Sequence, residues 1–444
     1  MNVGFISLGC SKNQVDTEIM IAAMKSSGYK IVNKLARAEI IIINTCGFIN
    51  EAKEEAINTI IETGKMKTTG GLQYLVATGC LAQRYGQELL DEMPELDGIV
   101  GISFFTDIDK VVQRIEQGER VALLGEPPTV FIEKGPRVIT TPAGSAYLKI
   151  TEGCNNRCSY CAIPMIRGSL RSRPKQEIVS EARELVTRGV RELVVVGQDT
   201  AMYGTDLAGN DNLPSLLKEM TAIDGLEWIR LMYLHPAHIN EQIIDIVAGE
   251  DKVLPYLDIP IQHAADQVLK NMNRKHNYQH LHLLIQRLRE KINGLVLRTT
   301  VMLGFPGETE ADFRLLLDFV QETEFDWLGA FTFTAEEGTP AYSMSEQVPL
   351  EIRQERRDAI MSLQQGITRN KNMARLNKDE KILISSQVSK NLYIGRAYFQ
   401  APGVDGITMV KTDAKVTKGS FVNVHLKGIR DYDMIGEPVN EYSE

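Results

Sequence analysis

The 444-residue chain lacks any apolar run of the roughly 18–20 residues that a membrane span requires. It has no excess of positive charge: 49 Lys and Arg stand against 58 Asp and Glu, a formal net charge of −9. That excludes a globally basic nucleic-acid coat, though not a local basic patch. The start, Met1-Asn2-Val3-Gly4-Phe5-Ile6, has no basic region, long apolar stretch or small-residue cleavage site, so no signal peptide is expected. Internal repeats and low-complexity tracts are missing, which gives no sign of a repeat architecture. The expectation is a cytoplasmic chain with no membrane segment.

Histidine is scarce, with seven residues of which the first is His235, and cysteine is scarcer, with six. Composition is otherwise ordinary, at 43% hydrophobic and 24% charged. A chain of this length forms two to four domains, each able to bury a core without disulfide staples. In a reducing compartment its cysteines point to metal binding or catalysis. Cys10, Cys46 and Cys80 are spread evenly; Cys154, Cys158 and Cys161 fall within eight residues.

The first 125 residues alternate strand and helix, the pattern of a doubly wound parallel sheet. Strands are expected at Val3–Leu8, Ile40–Ile43, Leu72–Ala77 and Gly98–Ile102, and helices at Thr17–Ser27, Asn50–Thr63, Ala82–Met93 and Thr106–Gln117. Cys10, Cys46 and Cys80 each follow a strand. In an open α/β sheet the carboxyl-terminal loops share one edge, so the three thiols can converge there. Gly9, Gly47 and Gly79 allow close approach. Three thiolates suit a soft metal or an iron–sulfur cluster; the alternative is small buried residues ending strands.

Thr151-Glu152-Gly153-Cys154-Asn155-Asn156-Arg157-Cys158-Ser159-Tyr160-Cys161 holds a Cys-x3-Cys-x2-Cys loop. Zinc prefers four filled positions, and no second Cys pair exists here. A thioredoxin-like reading would leave Cys154 unused. The loop resembles the signature of radical S-adenosylmethionine enzymes, including the aromatic Tyr160 before the last cysteine. That resemblance implies a 4Fe–4S cluster on Cys154, Cys158 and Cys161. Its open iron would bind S-adenosylmethionine and cleave it to an adenosyl radical.

Residues 140–375 hold six strand candidates separated by helices: Ala146–Ile150 before the loop, then Leu193–Val196, Ile229–Leu234, Leu257–Ile261, Val296–Leu303 and Gly329–Phe333 after it. They suit a partial (βα)6 barrel with its chemistry at the carboxyl-terminal face. By resemblance the strand-end residues Gln198, Gln262, Gly304, Phe305 and Gly307 would contact S-adenosylmethionine. The plainer reading of Gly304–Gly307 is a tight turn opening a helix. His263 is a candidate base or a structural histidine. Arg167, Arg171 and Arg173 read as a solvated basic face, or as a clamp for a substrate carboxylate.

Pro349–Arg375 reads as a long charged helix. Residues 376–444 show short strands between turn signals, a small OB-like all-β barrel that resembles a TRAM domain. Nine Lys and Arg balance nine Asp and Glu there, so an RNA surface is possible but not favoured.

The three-part order resembles the methylthiotransferase family over essentially the whole chain. Of its two branches, one acts on an adenosine of transfer RNA and the other on an aspartate of small-subunit ribosomal protein number twelve. Gly9-Cys10-Ser11-Lys12-Asn13-Gln14-Val15-Asp16-Thr17-Glu18, Asp258–His263, Ala335–Ala341 and Gly395–Phe399 resemble the ribosomal-protein branch, although Ser11 and Thr17 depart from its usual Pro and Ser. The resemblance implies a second 4Fe–4S cluster on Cys10, Cys46 and Cys80, together with an electron donor and a sulfur donor as partners. No side-chain base removes a proton from the unactivated β-carbon of an aspartate, so a cofactor must carry that chemistry.

Overall fold

The computed structural model describes residues 1–132 and 135–439. It resolves into two compact units. The first comprises Met1–Thr140, Thr151–Ser172 and Thr334–Tyr342; the second comprises Thr141–Ile150, Arg173–Phe333 and the chain from Ser343 onward. Both cysteine groups lie in the first unit.

The first unit is built on a six-stranded parallel sheet. Its order from one edge is Lys30–Ile31, Asn2–Ser7, Ile40–Thr45, Tyr74–Gly79, Gly98–Val100 and Val121–Leu123. Ile40, Ile41, Ile42 and Ile43 are completely buried, as a β-branched strand covered on both faces should be. The chain leaves Asn2–Ser7 for one edge and returns to its other side as Ile40–Thr45. That reversal is a topological switch point, where doubly wound sheets open a crevice. The two edge strands, two and three residues long, are not among those the sequence pattern predicts. The first long helix spans Ser11–Ser26 rather than Thr17–Ser27. Its amino-terminal half carries no apolar stripe, yet Asn13, Asp16, Thr17 and Glu18 are buried.

The second unit contains six parallel strands in chain order: Ser145–Lys149, Glu192–Val196, Trp228–Leu231, Val253–Asp258, Val296–Leu303 and Trp327–Thr332. The first and last are not paired, so this is the expected open, partial barrel. The fourth strand begins at Val253 instead of Leu257. Pro255 interrupts its ladder, and the register shifts between Ile229 and Leu231 opposite it. A helix over Leu350–Met373 packs beside the last strand, with Gln364 Nε2 donating to Phe325 O at 2.7 Å.

The chain then closes a five-stranded barrel from Asp379–Ser389, Leu392–Arg396, Thr408–Lys411, Phe421–Arg430 and Asp433–Pro438. Residues 440–444 of the expected barrel domain lie outside the described residues. The loop from Arg396 to Asp405 meets the starts of the parallel strands. Glu192 is fully buried between Arg230 (2.8 Å) and Arg396. Tyr256 Oη donates to Asp405 at 2.6 Å, and Trp327 Nε1 donates to Phe399 O at 2.6 Å.

Burial raises the Glu192 carboxyl, but the two guanidinium groups outweigh it and hold the group at about 2. Replacing Glu192 with Ala strands two buried cations and is expected to cost about 3–5 kcal/mol, measured by chemical denaturation. The advantage of wild type over Glu192→Gln is present above pH 4.5 and should be lost as pH falls towards 2.

Candidate metal centres and their shared arginine

The three strands that carry Cys10, Cys46 and Cys80 are immediate neighbours, with Ser7 opposite Asn44 and Thr45 opposite Gly79. Cys10 is the N-cap of the Ser11–Ser26 helix, Cys46 follows Thr45 directly, and Cys80 opens the helix Cys80–Glu92. Gly9 adopts φ +84°, and a Cβ built on it would lie 2.7 Å from Cys46 Cβ. Only glycine lets the first loop reach the second cysteine. Asn13 then fastens two strand ends, donating from Nδ2 to Leu8 O and Thr45 O, both at 3.0 Å. Asn44 Nδ2 donates to Asn13 O at 2.8 Å.

The second group sits on the loop between two short antiparallel segments, Thr151–Glu152 and Arg171–Ser172. Cys154 N donates to Gly168 O at 3.1 Å, and Cys161 N to Cys158 O at 3.1 Å. Gly153 has φ +74°, and a Cβ there would fall 2.1 Å from Ser169 O. Asn156 Nδ2 reaches Cys154 Sγ at 3.4 Å, and Ala341 N braces the loop at Ser159 O, 2.8 Å away. Tyr160 is buried, Cys158 is buried, and Cys154 and Cys161 are half-buried.

The helix after this loop, Ile163–Arg167, lies against the first cysteine group: Ala162 and Ile166 pack on Cys80. Arg167 donates from Nε and Nη2 to Cys80 Sγ at 3.4 and 3.5 Å. It also reaches Asp16 (3.0 Å), Asn13 Oδ1 (2.6 Å) and Glu152. Nearby, Glu336 receives Lys53 at 2.9 Å and Arg84 at 2.6 Å, while Arg84 also donates to Gly47 O beside Cys46.

In the second unit, Gln198 follows the second barrel strand. Gln262 extends the fourth with φ +70°, bridging to Val301. Gly304 to Gly307 form a turn closed by Glu308, which accepts from Gly304 N at 2.7 Å and Phe305 N at 3.3 Å. Thr309 caps the helix that follows, as the tight-turn reading expects. His263 is fully buried and accepts from Ala265 N at 2.9 Å. Burial pushes its imidazole down to about 4, and its Nε2 lies 3.6 Å from Glu308. One potential ligand atom each from Asp199, His235 and His238 lies within 4.8 Å of the others. Burial, then the nearby Arg274 cation, lowers His235 and takes His276 down to about 3. His238 Nδ1 lies 2.7 Å from Asp199, joining the loops that follow the second and third barrel strands.

Residues 2–101 match the family described as "Uncharacterized protein family UPF0004", residues 148–320 the Radical SAM superfamily, and residues 378–439 the TRAM domain. The chain is 61% identical to the ribosomal protein uS12 methylthiotransferase RimO of Syntrophomonas wolfei, over 98% of this chain and 100% of that one. Identity to the protein of the same name is 46% in Thermoanaerobacter sp., over 98% and 99%, and 44% in Clostridioides difficile, over 99% and 99%. The chain belongs to the RimO methylthiotransferase family. Among solved structures, the radical S-adenosylmethionine methyltransferase TsrM from Kitasatospora setae is 15% identical, with a TM-score of 0.57 over 77% of this chain and 76% of its own. The S-adenosylmethionine radical enzyme OxsB is 12% identical, with a TM-score of 0.51 over 83% and 56%. These two likenesses concern the fold.

One expectation for this RimO-family chain is overturned. Arg167, Arg171 and Arg173 are not a solvated face: their relative exposures are 2%, 4% and 6%. Nor is Arg167 free to clamp a substrate, because buried carboxylates and Cys80 occupy it. Arg171 donates to Arg167 O at 2.7 Å, and Arg173 pairs with Glu181. Asn13, Asp16 and Glu152 also escaped sequence reasoning. The available signal was a helix start in which polar residues stand where apolar ones would be expected.

Burial raises the Cys10 thiol, but Lys12, Arg167 and the N–H groups of Asn13 and Lys12 outweigh it, leaving it below its ordinary value. Burial and the neighbouring Cys80 push Cys46 up to about 12, and burial also raises Cys80 against the pull of Arg167. Metal loading must remove these protons. With Cys154, Cys158 and Cys161 replaced by Ala, anaerobic iron uptake is expected to increase as pH rises, because Cys46 and Cys80 hold their protons more tightly than an ordinary thiol.

Proposed function

We propose that this chain adds a methylthio group to the β-carbon of an aspartate in ribosomal protein uS12. The observation that carries this reading is the presence, in one compact unit, of two separate thiol triads, neither with a fourth cysteine to complete it. Both fit iron–sulfur clusters: strand-end convergence and glycine-permitted contact bring the first set together, and a backbone-braced loop presents the second. Cys10, Cys46 and Cys80 hold one 4Fe–4S cluster, and Cys154, Cys158 and Cys161 the other. Residues 1–125, 140–375 and 376–444 form the methylthiotransferase, radical S-adenosylmethionine and TRAM domains.

When bound, the clusters and S-adenosylmethionine supply radical chemistry that breaks an unactivated C–H bond, together with the sulfur and the methyl group. The protein's own residues bind and orient. The loop Cys154–Cys161 would hold its cluster through three thiolates, and S-adenosylmethionine would bind to that cluster. Gln198, Gln262, Gly304, Phe305 and Gly307 contact that cofactor, with Glu308 and Phe333 supporting the Gly304–Gly307 turn. Near-equal charge on the C-terminal barrel supports a protein substrate over RNA. No helix among the described residues is long and apolar enough to cross a membrane. We place the activity in the cytoplasm, with an electron donor and a sulfur donor as further partners.

The test is mass spectrometry of purified uS12 and of transfer RNA after incubation with the reconstituted, reduced enzyme and S-adenosylmethionine. A methylthio gain on an aspartate of uS12 is expected. A gain on RNA alone would contradict the reading. Cys46→Ala should abolish the gain while cleavage of S-adenosylmethionine continues, whereas Cys158→Ala should abolish both.

A further inference from the structure

We propose that Arg167 is a positioning residue for the cluster of Cys10, Cys46 and Cys80: it donates hydrogen bonds to the Cys80 sulfur and joins that site to the loop of the other cluster. The inference rests on the reading that both triads hold clusters.

The guanidinium is 2% exposed and its orientation is fixed from several sides. Asp16 and Asn13 hold it from the helix that begins at Cys10; Glu152 holds it from the segment just before Cys154. Two N–H groups that remain point at Cys80 Sγ, at 3.4 and 3.5 Å. Asn13, which receives the Arg167 fork, is the residue that fastens the strand ends at Leu8 O and Thr45 O. One side chain thus touches the ligand Cys80, the anchor of the Cys10 and Cys46 loops, and the root of the Cys154 loop.

Two consequences follow. Hydrogen bonds to a cluster sulfur and nearby positive charge raise its reduction potential. Arg167 supplies both, in a site where Asp16 and Glu152 would otherwise lower it. Lysine could keep the charge but not the planar fork that reaches Asn13, the carboxylates and sulfur together. The second consequence is mechanical: Arg167 closes the short helix that follows Cys161. Ordering of the Cys154–Cys161 loop therefore places the cation against Cys80.

The test is an EPR-monitored redox titration of holoenzyme carrying both clusters, comparing wild type, Arg167→Gln and Arg167→Lys. Because Arg167→Gln leaves two buried carboxylates unpaired, a charge-balanced variant, Arg167→Gln with Asp16→Asn and Glu152→Gln, is measured beside it. The Cys10–Cys46–Cys80 cluster is expected to move to more negative potential in Arg167→Gln and to recover partly in Arg167→Lys. The other cluster should shift less. In the charge-balanced variant the EPR signal of the Cys80-ligated cluster should also change. Potentials and EPR signals equal to wild type in folded variants bearing both clusters would overturn this inference alone. A wild-type chain that binds only one cluster would overturn the reading beneath it.

Discussion

A fully buried guanidinium, that of Arg167, holds Asp16, Asn13, Glu152 and the sulfur of Cys80 at once. Burial opposes its charge, but Cys80, Glu152, Asp16 and Cys10 around it keep it firmly protonated. Breaking such a buried group leaves its partners uncompensated, typically at a cost of about 3–5 kcal/mol. The rest of the first unit is arranged to make this contact possible. The switch in strand order brings three cysteine-bearing strands side by side, Gly9 lets two loops touch, and a short helix delivers the arginine.

The second unit uses the same device at the starts of its parallel strands. Glu192 lies fully buried between Arg230 and Arg396, and Arg230 also donates to Tyr398 O at 2.6 Å. The segment Gly395–Phe399 thus fastens the C-terminal barrel to the starts of the parallel strands. Burial pushes Asp405 up to about 6, and Tyr256 donates to it at 2.6 Å. Buried polar groups paired in this way specify one arrangement of barrel and sheet.

Much of this was legible in the residues. A tetra-isoleucine strand, cysteines just past strand ends and a tight cysteine loop are local signals, and they survive folding unchanged. Lys30–Ile31 was not legible because two residues carry no periodicity, and Val121–Leu123 because only Val121 of its three residues is buried. The last strand of the C-terminal barrel, Asp433–Pro438, carries a weak signal because it mixes Gly436 and charged residues with few apolar ones. Arg167 was not legible at all: its partners come from positions far apart in sequence, and an arginine cluster alone looks solvated. The polar start of the first helix carried the clue, since Asn13 and Asp16 had no evident reason to avoid an apolar stripe.

We propose that the six cysteines form two independent three-thiolate sites. Iron analysis with Mössbauer spectroscopy on separately disabled chains tests it most directly. Wild type should bind about eight iron atoms, and a chain with Cys10, Cys46 and Cys80 changed to Ala about four, as should one with Cys154, Cys158 and Cys161 changed to Ala. Loss of all iron from either triple variant while it stays folded, or about four irons in wild type, would contradict the account.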